Sequence, residues 1–388
     1  MKKFLTLLIF ITLTLASCIG GKGRHTELSE ATARDSIDSA FGVEVTYAKG
    51  FEVNNHVGYK EVVLFRPDSR DTLALYIMHE RGKHPAGEHS PRARFISVPI
   101  RTLGCLSTTE IGAIAALDLR DILVAAGDLR NISDQSLRAK ADRGEITEIS
   151  RGMGRNVEQI IASHPEVLLQ SIVDTTDKDE DIIASGIEIV LFNNWKETDL
   201  LGRAEWLKII GILCCQNAKS DSLFRHIEKE YIEAKALVPH DEDYIAVMYG
   251  HDYKGAWYVP GEYSYVTSML EDARVRFEYI PGQVSGEPKS FEHIFTRHHK
   301  AKIWLNMMAT DISTVKDFVG INERYAHFDA VKDGEVWVDR KRVNEQGGND
   351  IWESGVYNPH LLLKDIIKIT RPHLLPDYDT SYWLQLRR

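Results

Sequence analysis

The sequence predicts an α/β protein built as two lobes joined by one long helix, with a ligand cleft between the lobes and a β-rich N-terminal addition. Three observations lead there. The chain has 388 residues, more than the roughly 250–300 that one hydrophobic core usually organises. From about residue 100, short apolar runs alternate with helical stretches, the pattern of βα units on a mostly parallel, Rossmann-like sheet. That alternation is interrupted by a helical stretch over residues 203–237 and then begins again.

Composition narrows the class further. With 43% hydrophobic and 27% charged positions the chain is ordinary globular material, not a disordered, collagenous or disulfide-scaffold protein. A net charge of -10 gives no sequence-independent attraction to nucleic acid. Beyond the N-terminus no stretch reaches the ~18–20 apolar residues of a spanning helix.

The N-terminus specifies export. Met1-Lys2-Lys3 is a short basic region, residues 4–15 are apolar apart from threonines, and Leu15-Ala16-Ser17-Cys18 follows. The run is too short to span a bilayer and ends at small residues, as a cleavable signal does. Cysteine after Leu-Ala-Ser is similar to the lipobox of bacterial lipoproteins, in which Cys18 is cut free and acylated. Residues 1–17 then form the signal peptide and residues 18–40, with Gly20, Gly21 and Gly23, a tether. Cleavage removes Lys2 and Lys3 and no acid, which takes the chain to -12. No acid cluster follows Cys18, so the lipid-anchored protein is expected on the periplasmic side of the envelope. Cys105, Cys214 and Cys215 remain, an odd number without CxxC spacing, and read as buried structural thiols.

Residues 43–98 read as an antiparallel addition. Val43 to Tyr47 alternate, and residues 61–65 and 73–78 are β-branched or aromatic runs separated by Arg66-Pro67-Asp68-Ser69. In the first lobe, Ser107-Thr108-Thr109-Glu110 is a capping box before an amphipathic run. Residues 122–126, 167–170 and 187–192 are strands, and Asn156 opens a helix that His164-Pro165 closes. In residues 203–237, Phe224, Ile227, Tyr231 and Ala234 recur at helical spacing until Val238-Pro239. In the second lobe, strands are expected at 244–249, 275–280, 303–305 and 335–338, with helices at 266–270 and 290–299. Asn358-Pro359 opens the last helix as N-cap and first residue. The organisation is a first lobe with its addition over 41–202, a linking helix region over 203–238, and a second lobe over 239–388.

Catalytic signatures are missing: there is no GxxxxGK[ST], HExxH or GxSxG, and Gly152-Met153-Gly154 lacks the third glycine of a dinucleotide loop. His79, His84 and His89 are five apart, with Pro85 and Gly87 between them, and read as a solvated loop. The acids Asp174, Asp177, Asp179, Glu180 and Asp181 lack the Gly and terminal Glu of a calcium loop. The aromatic loop of Trp257, Tyr258, Tyr263 and Tyr265 would lie outside the carboxyl end of a strand, where α/β lobes bind ligands. Trp195 holds the matching place in the first lobe. Ser107 and Thr108 offer hydroxyl and backbone N–H groups to an anion.

Several segments together resemble the periplasmic binding proteins of ABC importers for iron complexes and corrinoids, the class with one helix between lobes. They are Leu106-Ser107-Thr108-Thr109; Asn156-Val157-Glu158-Gln159-Ile160 leading to His164-Pro165-Glu166; and Gly202-Arg203-Ala204-Glu205-Trp206. Trp257-Tyr258-Val259-Pro260-Gly261 with Ser264-Tyr265, and Arg342-Val343-Asn344 through Gly347-Gly348-Asn349-Asp350-Ile351-Trp352-Glu353-Ser354-Gly355, complete the set. The resemblance implies a receptor rather than an enzyme, without a cofactor of its own. It holds a small-molecule metal chelate between lobes that move little and docks on a permease dimer driven by an ATPase. Glu158 or Asp177 on the first lobe and Glu292 on the second are the implied permease-docking acids. A ferric chelate of siderophore type ranks first as ligand, with Arg155 and Arg342 to meet its charge. A corrinoid ranks second: Asp350 matches that site, but Gly152 and Ser171 stand where corrinoid-binding relatives carry aromatics, and Ser354 replaces an arginine. Haem ranks third, with Tyr258 or Tyr263 as iron ligand. The competing class is a lipid-anchored chelatase-like enzyme, whose titratable groups would be His251 and Asp350.

Overall fold

The computed structural model describes residues 41–388 except 68, 153, 175–178 and 308–311. The expected signal peptide and tether, with Cys18, and Asp177 lie outside the described residues.

Four strands, Phe51–His56, Tyr59–Phe65, Thr72–Glu80 and Ala93–Val98, form the N-terminal sheet in sequence order. The first two junctions are antiparallel, as expected. The last is parallel, with the twelve residues 81–92 long enough for the crossover that parallel neighbours need. One face buries Val62, Leu64, Tyr76, Met78 and Ile96 in the main core. The Tyr76 hydroxyl accepts the N–H of Leu191, which ties the addition to the first lobe.

Val43 to Tyr47 form no strand. Their alternation reflects capture by the linking region. The buried carboxylate of Glu205 accepts the backbone N–H groups of Thr46, Tyr47 and Ala48 at 2.7–3.1 Å and pairs with Lys208 at 2.8 Å. Glu197 accepts those of Lys49 and Gly50, and the Trp206 indole N–H at 2.7 Å.

The first lobe is a parallel five-stranded sheet in the order Glu188–Leu191, Val167–Gln170, Leu103–Cys105, Leu123–Ala126, Thr147–Glu148. The second repeats the plan with Val275–Arg276, Ile245–Tyr249, Ile303–Asn306 and Val336–Val338 in parallel, and adds Leu384–Gln385 antiparallel at one edge. In both sheets the strand order reverses beside the first strand of the lobe, and the crevice at such a point, beyond the carboxyl ends, is where open α/β sheets bind ligands.

The linking region is three helices, Leu200–Glu205, Leu207–Leu213 and Asn217–Lys235, where the sequence reads as one. The break comes at Cys215, whose φ of 49° is left-handed. The Gln216 N–H then bonds the Gly211 carbonyl at 2.7 Å. Only glycine fits at 211, since a Cβ there would stand 2.2 Å from the Ser220 hydroxyl. The 19-residue helix buries Phe224, Ile227, Tyr231 and Ala234 as their spacing requires. The last helix, Pro359–Thr370, packs along it. Asn358 precedes that helix but does not cap it; its side-chain amide donates to the Ser354 carbonyl instead. One apolar core runs from the N-terminal sheet through these helices to Val247 and Leu305 of the second lobe.

Glu205→Ala leaves the buried Lys208 ammonium without its 2.8 Å partner and three backbone N–H groups without an acceptor. Denaturant unfolding is expected to show a loss of roughly 3–5 kcal/mol; a loss below about 1 kcal/mol would contradict this account.

Candidate functional site

Chain direction places the ends of the parallel strands of both lobes around one cleft. Ser107 follows the strand Leu103–Cys105 and Trp195 follows Glu188–Leu191. Arg340 follows Val336–Val338, and Tyr265 begins the helix Tyr265–Asp272. With Arg203 of the linking region, Thr108, Thr109, Asn131, Gly347, Asn349 and Trp352, these residues line a hollow of about 460 Å³, an ordinary size for a small-molecule site.

The capping box forms as its sequence requires. The Ser107 hydroxyl accepts the Thr109 N–H while Glu110 accepts the Ser107 N–H. Trp195 donates its indole N–H to Ser171 at 2.8 Å and carries Lys196 over its ring at 4.3 Å. Those contacts hold the indole as a wall.

Charge gives the cleft its character. Its lining carries two guanidinium groups, Arg203 and Arg340, and no carboxylate among the described residues. Arg203 is 3% exposed and sits 4.0 Å above the Tyr265 ring, yet its Nε has no hydrogen-bond partner. A buried guanidinium without a carboxylate is costly, and an anion in the cleft would offset that cost. No group of three or more His, Cys, Asp or Glu side chains among the described residues is placed to hold a metal ion.

Residues 342–357 tie the two lobes together. The Glu353 carboxylate accepts the N–H groups of Ser133 and Asp134 in the first lobe, both at 2.7 Å. The Asn344 amide donates to the carbonyls of Arg130 and Ile132, and the Tyr357 hydroxyl to that of Thr109. Gly348 passes so close that a Cβ would stand 2.7 Å from the Asn131 Cα. Burial pushes the Glu353 carboxyl up to about 7, against the pull of its two N–H donors.

Of the residues the sequence singled out, Ser107, Thr108, Trp195 and Tyr265 line the cleft. The others stand elsewhere. Arg155 is committed to Asp179 at 2.5 Å and Gln170 at 2.7 Å. Arg342 pairs with Asp350 at 3.1 Å, and both line a separate hollow of about 350 Å³ behind the bridging segment. Asp350 also accepts the Ser354 hydroxyl at 2.7 Å. Trp257 is 1% exposed, stacks on Trp304 and donates to the Tyr249 carbonyl, so it is a core residue. The aromatic loop contains a strand, Ala256–Val259, in a small antiparallel sheet. Its alternation turns Trp257 inward and leaves Tyr258 56% exposed. Tyr263 is 51% exposed and bonds Gln283 through its backbone. His251 is outside the cleft lining, and burial lowers its imidazole below the usual value. His251 and Asp350 therefore do not converge on the cleft as an enzyme would need. Glu158 is exposed in the first turn of Val157–Ser163. Glu292 occupies the same turn of Phe291–His298, exposed but bonded to Arg324 at 3.0 Å. Tyr265 of the aromatic loop does line the cleft, whereas Arg203, Arg340, Asn349 and Trp352 line it without having been singled out by the sequence. Most lie in segments that carry the family resemblance, which was the available signal.

Fold and site together define a two-lobed solute-binding protein. The chain belongs to the periplasmic binding protein family, whose model matches residues 104–343. Its members are solute-binding transport proteins and not enzymes. The N-terminal sheet precedes the matched region. An uncharacterized lipoprotein of Methanocaldococcus jannaschii is 23% identical over 98% of both chains. Among solved structures, the triscatecholate siderophore binding protein FeuA from Bacillus subtilis, complexed with ferri-bacillibactin, aligns with a TM-score of 0.54 and 16% identity. That alignment covers 72% of this chain and 95% of that one. A periplasmic heme binding protein from Pseudomonas aeruginosa gives 0.56 and 12%, over 74% and 99%. Helicobacter pylori Ceue with Ni(II) bound gives 0.56 and 15%, over 74% and 88%. At these identities the likeness is one of fold. No helix among the described residues is long and apolar enough to cross a membrane.

A carboxyl raised in the folded state keeps its proton where the unfolded chain has lost it. Glu353 therefore lowers stability as pH rises from about 4.5 to about 7. Glu197 and Asp365, raised by burial, act in the same direction. Urea unfolding at pH 5 and pH 7 is expected to show a smaller loss in Glu353→Gln than in the parent. Equal losses would remove Glu353 from the effect.

Proposed function

We propose that the protein captures an anionic ferric chelate of siderophore type in the inter-lobe cleft and delivers it to the permease of an ABC importer. The observation that carries this reading is Arg203, a buried guanidinium on the cleft wall that stacks on the Tyr265 ring and whose Nε has no hydrogen-bond partner. Arg340 adds a second positive charge on the facing lobe. A rigid fork of N–H donors suits the clustered oxygens of a chelate. Ferric chelates bound to two of the similar structures, ferri-bacillibactin and an acinetobactin–iron complex, support the same ligand class. The iron travels as cargo inside its chelate. A corrinoid has less support, since Asp350 is held by Arg342 and Ser354 outside the cleft. The haem ligands Tyr258 and Tyr263 are likewise outside it.

Trp195 and Trp352 on the cleft wall supply the readout. Titration with a ferric tricatecholate is expected to quench tryptophan fluorescence. Arg203→Gln should weaken binding by about 10–100-fold, the worth of one charge-assisted contact. Quenching by cyanocobalamin or haemin but by no ferric chelate would overturn the reading.

In this proposal the lipid on Cys18 keeps the receptor at the periplasmic membrane surface, and an acid on each lobe meets basic residues of the permease. Glu158 and Glu292 suit that role because both sit one residue past the start of a helix. Glu158→Lys with Glu292→Lys should abolish chelate uptake in cells and leave the dissociation constant of the purified protein unchanged. Unimpaired uptake would dismiss both acids.

A further inference from the structure

A second hollow, of about 740 Å³, lies on the outer flank of the second lobe. It shares no lining residue with the cleft. The hollow is built along the edge of the second sheet, from Ala246 and Val247 of Ile245–Tyr249, the run 276–281 that ends and follows the edge strand, and Lys300 and Ala301 ahead of Ile303–Asn306. It opens beside Val275–Arg276, a two-residue edge strand that leaves part of its neighbour uncovered.

The lining has apolar members, Val247, Phe277, Ile280 and Pro281 among them. It also has basic ones. Arg276, Lys289, Arg297 and Lys300 contribute four permanent cations, with the imidazoles of His293 and His298 between them. Glu278 is the one carboxylate of the lining. It is taken up by His293 at 2.6 Å, by His298, and by Arg297 at 3.4 Å. Lys289 bonds Glu287 at 3.1 Å. Arg276 and Lys300 have no acidic partner among the described residues. In a chain of net charge -10, the lining of this hollow thus carries four fixed cations and one acid.

We infer that this hollow binds a phosphate ester, with the phosphate against Arg276, Arg297 and Lys300 and an apolar or aromatic body along Phe277, Ile280 and Pro281. Several cationic donors on one lining match the three oxygens and near-double charge of a phosphomonoester, where a carboxylate would be satisfied by a single fork. The volume exceeds what bare phosphate fills, and the apolar lining residues account for the remainder. The site stands independently of the chelate reading, because it uses none of the cleft residues.

Phenyl phosphate, inorganic phosphate and benzoate are the probes, titrated calorimetrically into the full-length mature chain. Phenyl phosphate is expected to bind with a dissociation constant below about 1 mM, more tightly than either of the others and more weakly as salt is raised. Arg276→Gln with Lys300→Gln should weaken it at least tenfold. Both side chains are exposed and free of ion pairs with acids, so the double variant retains its fold. Quenching of the cleft tryptophans by a ferric tricatecholate serves as the control that it does not change. Vesicles containing phosphatidic acid separate the sources: binding that the variant loses assigns the ester to a lipid headgroup, and phenyl phosphate binding without vesicle binding assigns it to a soluble ester. Absence of phenyl phosphate binding, equal binding of benzoate, or an unaltered constant in the variant overturns the proposal.

Discussion

Two α/β lobes make a binding site only if their facing walls keep a defined separation, and in this protein buried carboxylates that accept backbone N–H groups hold the distant segments that set it. Glu353 is the member that spans the lobes, reaching from one side of the cleft to Ser133 and Asp134 on the other. Glu205 and Glu197 do the same for residues 46–50, and Asp365 for the N–H groups of Ser381, Tyr382 and Trp383. A buried carboxylate is expensive to desolvate, so such groups persist only where several donors satisfy them. That geometry fixes both partners, and a shared helical core stiffens it. The cleft walls are therefore positioned before any ligand arrives, which lowers the ordering cost of binding.

The same balance explains the cleft. Arg203 takes a charge into a buried setting against the Tyr265 ring, a cation–π contact worth about 2 kcal/mol when desolvated. The helices 200–213, 217–235 and 359–370 pack extensively and can bear that cost. An arrangement that is poor for stability alone is well suited to an anionic ligand, because the receptor has already desolvated the group that meets it.

Local signals in the chain were legible where local physics decides. The capping box at Ser107 and Glu110, the side-chain caps at Asn156 and Ser290, and the stripe of Phe224, Ile227, Tyr231 and Ala234 follow from hydrogen bonds and spacing within one element. The site residues were less legible. Arg155 and Arg342 read as the cations that meet an anionic chelate, but Asp179 and Asp350 claim them through pairings that no local pattern reveals. Trp257 reads as a ligand-facing aromatic until a cross-strand pairing with Glu287–Lys289 turns it inward onto Trp304. The parallel fourth strand of the N-terminal sheet and the reversal at Cys215 escape for the same reason: each depends on what packs opposite.

By itself the sequence determined the two-lobed α/β plan and the family to which the chain belongs. These rest on hydrophobic periodicity, chain order and short motifs, all written within a few dozen consecutive residues. Tertiary structure alone decided which arginines face the cleft, which acids are spent inside the protein, and that a basic hollow lies beside the edge of the second sheet. Whether a charge is free or paired is a property of residues brought together in space. Arg203 and Arg155 are alike as letters in the chain, and only the presence or absence of a carboxylate within about 3 Å separates their roles.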